Sequence, residues 1–106
     1  MTFLAAEAMK TAEPLPGWRG RFWHSANMSF AHYRVDAGSA IHAHYHPYEE
    51  VWLVIEGELE VTVGDETRTA GPGGVAVIPP DVTHSVRALT AGVAVVTNYP
   101  VRHDFA

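Results

Sequence analysis

The chain has 106 residues, 47% of them hydrophobic, 18% charged and 10% aromatic, so one domain spanning 1–106 is expected and two would not fit. Seven Lys and Arg against twelve Asp and Glu give a formal net charge of −5 with no basic run, which argues against nucleic acid or an anionic membrane as partner. No cysteine is present, which excludes disulfides, thiolate metal sites, cysteine nucleophiles and thiol redox switching.

The first ten residues, MTFLAAEAMK, place Glu7 within an apolar stretch and carry no basic leader. No secretory signal is read there, and the expected compartment is the cytoplasm. A short amphipathic helix is expected over residues 3–12, ended by Pro14 and Pro16. From Trp18 onward, short β-branched and aromatic runs alternate with turn residues. Strands are expected at 19–25, 28–35, 50–55, 58–63, 75–78, 84–88 and 93–99. The breaks between them include Asp36-Ala-Gly38, Glu56-Gly57, Gly64-Asp65-Glu66, Gly71-Pro-Gly-Gly74 and Pro79-Pro-Asp81. Asn27-Met28-Ser29 matches a glycosylation sequon, read as accidental without export. No apolar run approaches the roughly 20 residues of a membrane span.

This punctuation predicts an all-β fold, an antiparallel sandwich or small barrel with its core over about residues 18–99. The run 58–63 alternates and is expected to be half exposed. The run 51–55 is apolar on both parities, so its outer side, with Val51, Leu53 and Ile55, calls for a second cover. A partner subunit could supply it, and a homodimer is expected.

Seven histidines are the anomaly of the composition, and His42, His44 and His46 fall within five positions. In extended chain, side chains two apart share a face, so these three rings are expected to point the same way, with Glu50 at the same parity. Imidazoles and a carboxylate can converge on one ion. That donor set suits Fe, Mn, Ni, Co, Cu or Zn better than Mg or Ca. A further ligand would come from another strand, and His84, just after the Pro79-Pro80 turn, is the candidate. The alternative is a solvated His-rich loop with no ligand role.

The same residues resemble the cupin superfamily. Its first motif is matched at every spacing by Gly38, His44, His46, Glu50 and Gly57. Its second is matched by Gly73, Pro79 and His84, while Asp81 and Ala88 replace its glycine and asparagine. The resemblance implies a small single-domain cupin barrel, or jelly roll, holding one divalent transition metal on His44, His46, Glu50 and His84. Gly57 and Gly64 are then read as positive-φ turn positions. His42 is a rim residue or an outer partner of the ligands, and Glu49 points away from the ion.

Such a site would carry a net charge near +1. It would attract an anionic or chelating small-molecule substrate: a carboxylate, enediol, β-dicarbonyl or vicinal diol. The tail Pro100-Val-Arg102-His-Asp104-Phe105 resembles that of small cupins, including the pectin-degradation type. That likeness implies that Arg102 reaches back to pair with a substrate carboxylate. The competing reading is a surface ion pair of Arg102 with Asp104 or another carboxylate. Two departures count against the pectin-degradation type. It tends to carry Gln where this chain has Glu50, and an acidic residue on the last strand where this chain has only Val95, Val96, Thr97 and Asn98. Tyr33, Tyr45, Tyr99 and Arg34 are further pocket candidates, whereas Trp18, Trp23 and Trp52 read as core or interface. Three functions stay open: a dioxygenase-type enzyme, a non-redox isomerase or lyase on a sugar acid, and a non-catalytic small-molecule binder.

Overall fold

Alternating burial along short strands builds two antiparallel sheets in the computed structural model, which describes residues 2–103. Ten strands are formed among the described residues: β1 (Lys10–Leu15), β2 (Trp18–His24), β3 (Ser29–Val35), β4 (Ala40–His44), β5 (Glu49–Glu56), β6 (Leu59–Val63), β7 (Glu66–Ala70), β8 (Val75–Ile78), β9 (His84–Ala88) and β10 (Gly92–Tyr99). The larger sheet runs β1-β2-β3-β10-β5-β8 and the smaller β4-β9-β6-β7. Among the described residues no helix is long and apolar enough to cross a membrane.

Inward positions recur with period two, as strand geometry requires. Trp18 and Phe22 of β2, Ala31 and Tyr33 of β3, Trp52 and Val54 of β5, and Ala94 and Val96 of β10 are buried from the large sheet. Leu59, Val61, Val86 and Ala88 meet them from the small one. Trp18 packs edge-on against both Tyr33 and Trp52, with centroids 5.5 and 5.7 Å apart, so two of the three tryptophans are core. Trp23 instead stacks on Phe30 at 5.3 Å. On the other side of β5, Leu53 and Ile55 remain 38% and 45% exposed, and Val75 and Val77 of β8 are more exposed still. The second cover read from the sequence is therefore not supplied by another element of the described chain.

The expected helix over residues 3–12 does not form. Its window holds one 3₁₀ turn, Ala6–Ala8, and then enters β1, whose Lys10, Thr11 and Ala12 pair with Phe22, Arg21 and Gly20. Ala, Glu, Met and Lys favour helix locally, but edge pairing to β2 overrides a preference worth only tenths of a kcal/mol per residue. Pro14 is tolerated because β1 is an edge strand. β7 was absent from the expected strands, since Glu66-Thr-Arg-Thr offers no apolar period. It forms by hairpin return from β6, with Val63 opposite Glu66 and Gly64 at φ +61°.

Candidate metal centre

The site forms where β4 and β9 of the small sheet meet the first residues of β5. His44 and His84 are register partners across β4 and β9, and their ring centroids lie 4.3 Å apart. His46 follows β4 directly, with its ring 4.8 Å from that of His84. One ring nitrogen from each of His44, His46 and His84 lies within 4.8 Å of the others, so the three can hold a metal ion.

The parity argument for His42 does not hold. Ile41 pairs with Val86 and His44 with His84, so two residues of β4 stand where β9 has only Ser85. This bulge turns Ile41 and His44 to the same inner side and leaves His42 exposed. His42 still serves the cluster, through its carbonyl and not its ring.

Each cluster histidine uses Nδ1 in the same way. His44 Nδ1 donates to the His42 carbonyl at 2.8 Å, His46 Nδ1 to that of Tyr48 at 3.2 Å, and His84 Nδ1 to that of Val82 at 2.8 Å. A carbonyl can only accept, so these contacts place the proton on Nδ1 and leave the Nε2 lone pair available. The turn before β9 is docked by Asp81, whose N–H donates to the His46 carbonyl at 2.8 Å. Asp81 adopts φ +63°, the left-handed conformation that explains why the cupin motif favours glycine there.

Glu50 is 4% exposed and sits beside two of these rings. Its Oε1 lies 3.2 Å from His46 Nε2, and its Oε2 lies 3.4 Å from His84 Nε2 and accepts from Trp52 Nε1 at 2.7 Å. The His84 contact is an ion-pair distance without hydrogen-bond alignment, and His84 Nε2 is buried with no hydrogen-bond partner. Burial pushes the Glu50 carboxyl up, but His46, His84 and Trp52 together hold it well below the usual carboxylate range. Burial lowers His44, with a smaller contribution from the neighbouring rings. Burial also opposes charge on His84, yet Glu50 and the Val82 carbonyl more than offset it and leave that ring raised. With Nδ1 already protonated, an Nε2 facing this buried carboxylate either carries a second proton and donates it to Glu50 or shares a metal cation with it. The donor set of three imidazoles and a carboxylate suits a divalent transition metal in that role.

Arg102 follows β10 and returns to the same region. Its Nη1 donates to Asn98 Oδ1 at 3.1 Å and lies 3.8 Å from Glu50 Oε1, and its guanidinium sits 4.9 Å above the Tyr48 ring centroid. Its N–H donates to Ser29 Oγ at 2.7 Å, and that hydroxyl donates to the Arg102 carbonyl at 3.3 Å. Asp104 and Phe105 of the tail lie outside the described residues. Glu49 is exposed, as its parity requires, and so are Tyr45, Tyr99 and Arg34. Sequence reasoning missed Trp52 as a partner of Glu50, and Ser29, Tyr48 and Asn98 as partners of Arg102. Asn98 carried a readable signal: it is a polar residue at the inward parity of β10, after Ala94 and Val96.

A cavity of about 170 Å³ opens onto this cluster. His44, His84, Glu50 and Arg102 are its charged or titratable wall, with Leu15, Ile41, Trp52, Val86 and Val96 as its apolar wall, and Pro14 and Tyr33 completing it.

Comparison with known proteins agrees with this architecture. The profile described as "Cupin domain" matches residues 31–103. The uncharacterised protein SCO3923 from Streptomyces coelicolor is 36% identical over 64 residues, 60% of this chain and 61% of that protein. The chain thus spans about three fifths of the length of that relative. An RmlC-like cupin from Shewanella frigidimarina superposes with a TM-score of 0.91 at 24% identity, over 100% of this chain and 96% of that one. KdgF from a Halomonas species superposes with a TM-score of 0.90 at 22% identity, over 100% and 99%. Two facing antiparallel sheets, the three motif histidines His44, His46 and His84, and a profile match over most of the chain give one conclusion: the chain belongs to the cupin family.

Proposed function

We propose that this cupin is a metal-dependent enzyme of the dioxygenase type. It holds one divalent transition metal on His44, His46, His84 and Glu50 and acts on a small chelating carbonyl, enol or carboxylate compound. The observation that carries the reading is the common arrangement of the three rings, each with Nδ1 committed to a main-chain carbonyl and Nε2 left for the ion. A bound divalent ion supplies Lewis-acid polarisation of a carbonyl or, with a redox metal, O2 chemistry.

The chain's own residues set the conditions around it. Glu50 lowers the charge of the centre, which moderates its pull on anions. Trp52 holds Glu50 Oε2 and so fixes the plane of the carboxylate. Arg102 is anchored by Ser29 and Asn98 beside the cavity and offers a cation to a substrate carboxylate. Ile41, Val86 and Val96 give the cavity an apolar wall beside the cluster. The position of Arg102 also favours a second reading, a non-redox isomerase or lyase on a carboxylate-bearing carbonyl compound. A homodimer covering Leu53 and Ile55 belongs to both readings.

The test is turnover by protein loaded separately with Fe2+, Mn2+, Ni2+, Cu2+ or Zn2+ and supplied with β-diketones, enols and 2-oxo acids. Metal-dependent O2 uptake that is lost in His44→Ala supports the dioxygenase reading. Anaerobic consumption of substrate supports the isomerase or lyase reading. Bound metal with no turnover overturns both and leaves a binding barrel.

A further inference from the structure

The composition of the cavity wall narrows the substrate class. If His44, His84 and Glu50 are committed to the ion, and Trp52 Nε1 to Glu50, the polar side chains left on the wall are those of Arg102 and Tyr33. The rest is hydrocarbon: Leu15, Ile41, Val86 and Val96, with Pro14 at the edge. Val86 and Val96 are 2% and 1% exposed, so this part of the wall is packed into the core. The cavity volume is about 170 Å³, close to that of an engineered 150 Å³ cavity that holds benzene, so the enclosed part of a ligand has about six or seven heavy atoms.

We infer that the substrate is a compact acid with a chelating oxygen head and an alkyl body, and that the cavity discriminates against polyhydroxylated acids of equal size. This inference rests on the metal-centre reading above. The chelating head meets the ion and the carboxylate meets Arg102. The body then lies against Ile41, Val86 and Val96, where a hydroxyl would lose its water and find no partner. A site of this kind rejects an added hydroxyl and favours a methyl in its place, and it places sugar acids among the poor ligands. Tyr33 is the one remaining group that could serve a single hydroxyl, so the penalty grows with each further one.

The test uses a matched pair. 2-Oxobutanoate and 3-hydroxypyruvate share the 2-oxo acid head and differ only by CH3 against OH. Protein loaded with Co2+ is titrated with each, following the visible bands of the metal. The account expects 2-oxobutanoate to bind at least tenfold more tightly, and Val86→Thr to narrow that ratio by giving the wall a hydroxyl. Co2+ bands with equal or tighter binding of 3-hydroxypyruvate, or with neither acid binding, would overturn the inference and leave the metal centre intact. Failure to bind Co2+ at all would instead overturn the metal-centre reading, and the inference with it.

Discussion

The indole nitrogen of Trp52 donates to Glu50 Oε2 across 2.7 Å, and neither residue is more than 4% exposed. The two are separated by one residue on β5, so the strand repeat puts them on the same inner face. Trp52→Phe keeps an aromatic ring beside Tyr33, on which Trp52 stacks at 6.2 Å, and removes the donor. A buried carboxylate short of one partner costs about 1–3 kcal/mol of stability, and loss of an outer hydrogen bond to a ligand costs about 10–100-fold in metal affinity. Thermal unfolding of the metal-free protein and chelator competition measure the two separately. Unchanged metal affinity would mean that Trp52 is packing alone.

Arg102→Lys is expected to leave metal content unchanged and to weaken binding of a carboxylate ligand by about tenfold. Lysine keeps the charge but lacks the planar fork that bonds Asn98 and lies over Tyr48. The main chain at this position is still held by Ser29. An unchanged dissociation constant would remove Arg102 from the binding site.

Tyr33 gives the fold a defined alkaline limit. Burial first, and then the Glu50 carboxylate, push its phenol up from 10 to about 12, against a smaller opposing effect of Arg102. The folded state therefore binds this proton more tightly than the unfolded state. Its contribution to stability is fully present below pH 10 and is lost as pH rises from 10 through 12, by roughly 2–3 kcal/mol. Urea unfolding at a series of pH values is expected to show this loss in the parent and not in Tyr33→Phe. Parallel pH curves for the two proteins would contradict it.

Two motif glycines are expected to respond differently to alanine. Gly57 has φ +79°, and a Cβ there would lie 2.4 Å from the Ala91 carbonyl oxygen. Gly38 has φ +83° with nothing within 4 Å. Gly38→Ala meets only the backbone preference, about 1–2 kcal/mol, whereas Gly57→Ala adds a clash with main chain and is expected to cost at least about 3 kcal/mol. Equal losses in chemical denaturation would show that the approach of Ala91 relaxes freely.

The strands that alternate strongly were legible because their own side chains carry the period. Leu59, Val61 and Val63 point inward from β6, and Ala94 and Val96 from β10, as the pattern requires. β1 and β7 were not legible, because each is defined by its pairing partner and not by an apolar period of its own. The same limit applied to the site. The spacing of His44, His46, Glu50 and His84 could be read from the chain, but the bulge that removes His42 depends on the register against β9. Trp52 looked like core, and it is core; that its N–H is aimed at Glu50 is a fact of rotamer and packing.

The most direct test of the account is metal content per chain, measured by elemental analysis of the protein as isolated and after supplementation, beside a His44→Ala/His84→Ala variant. The account predicts close to one equivalent of a divalent transition metal in the parent and almost none in the variant. A parent that stays metal-free after supplementation, or a variant that keeps its metal, would contradict it.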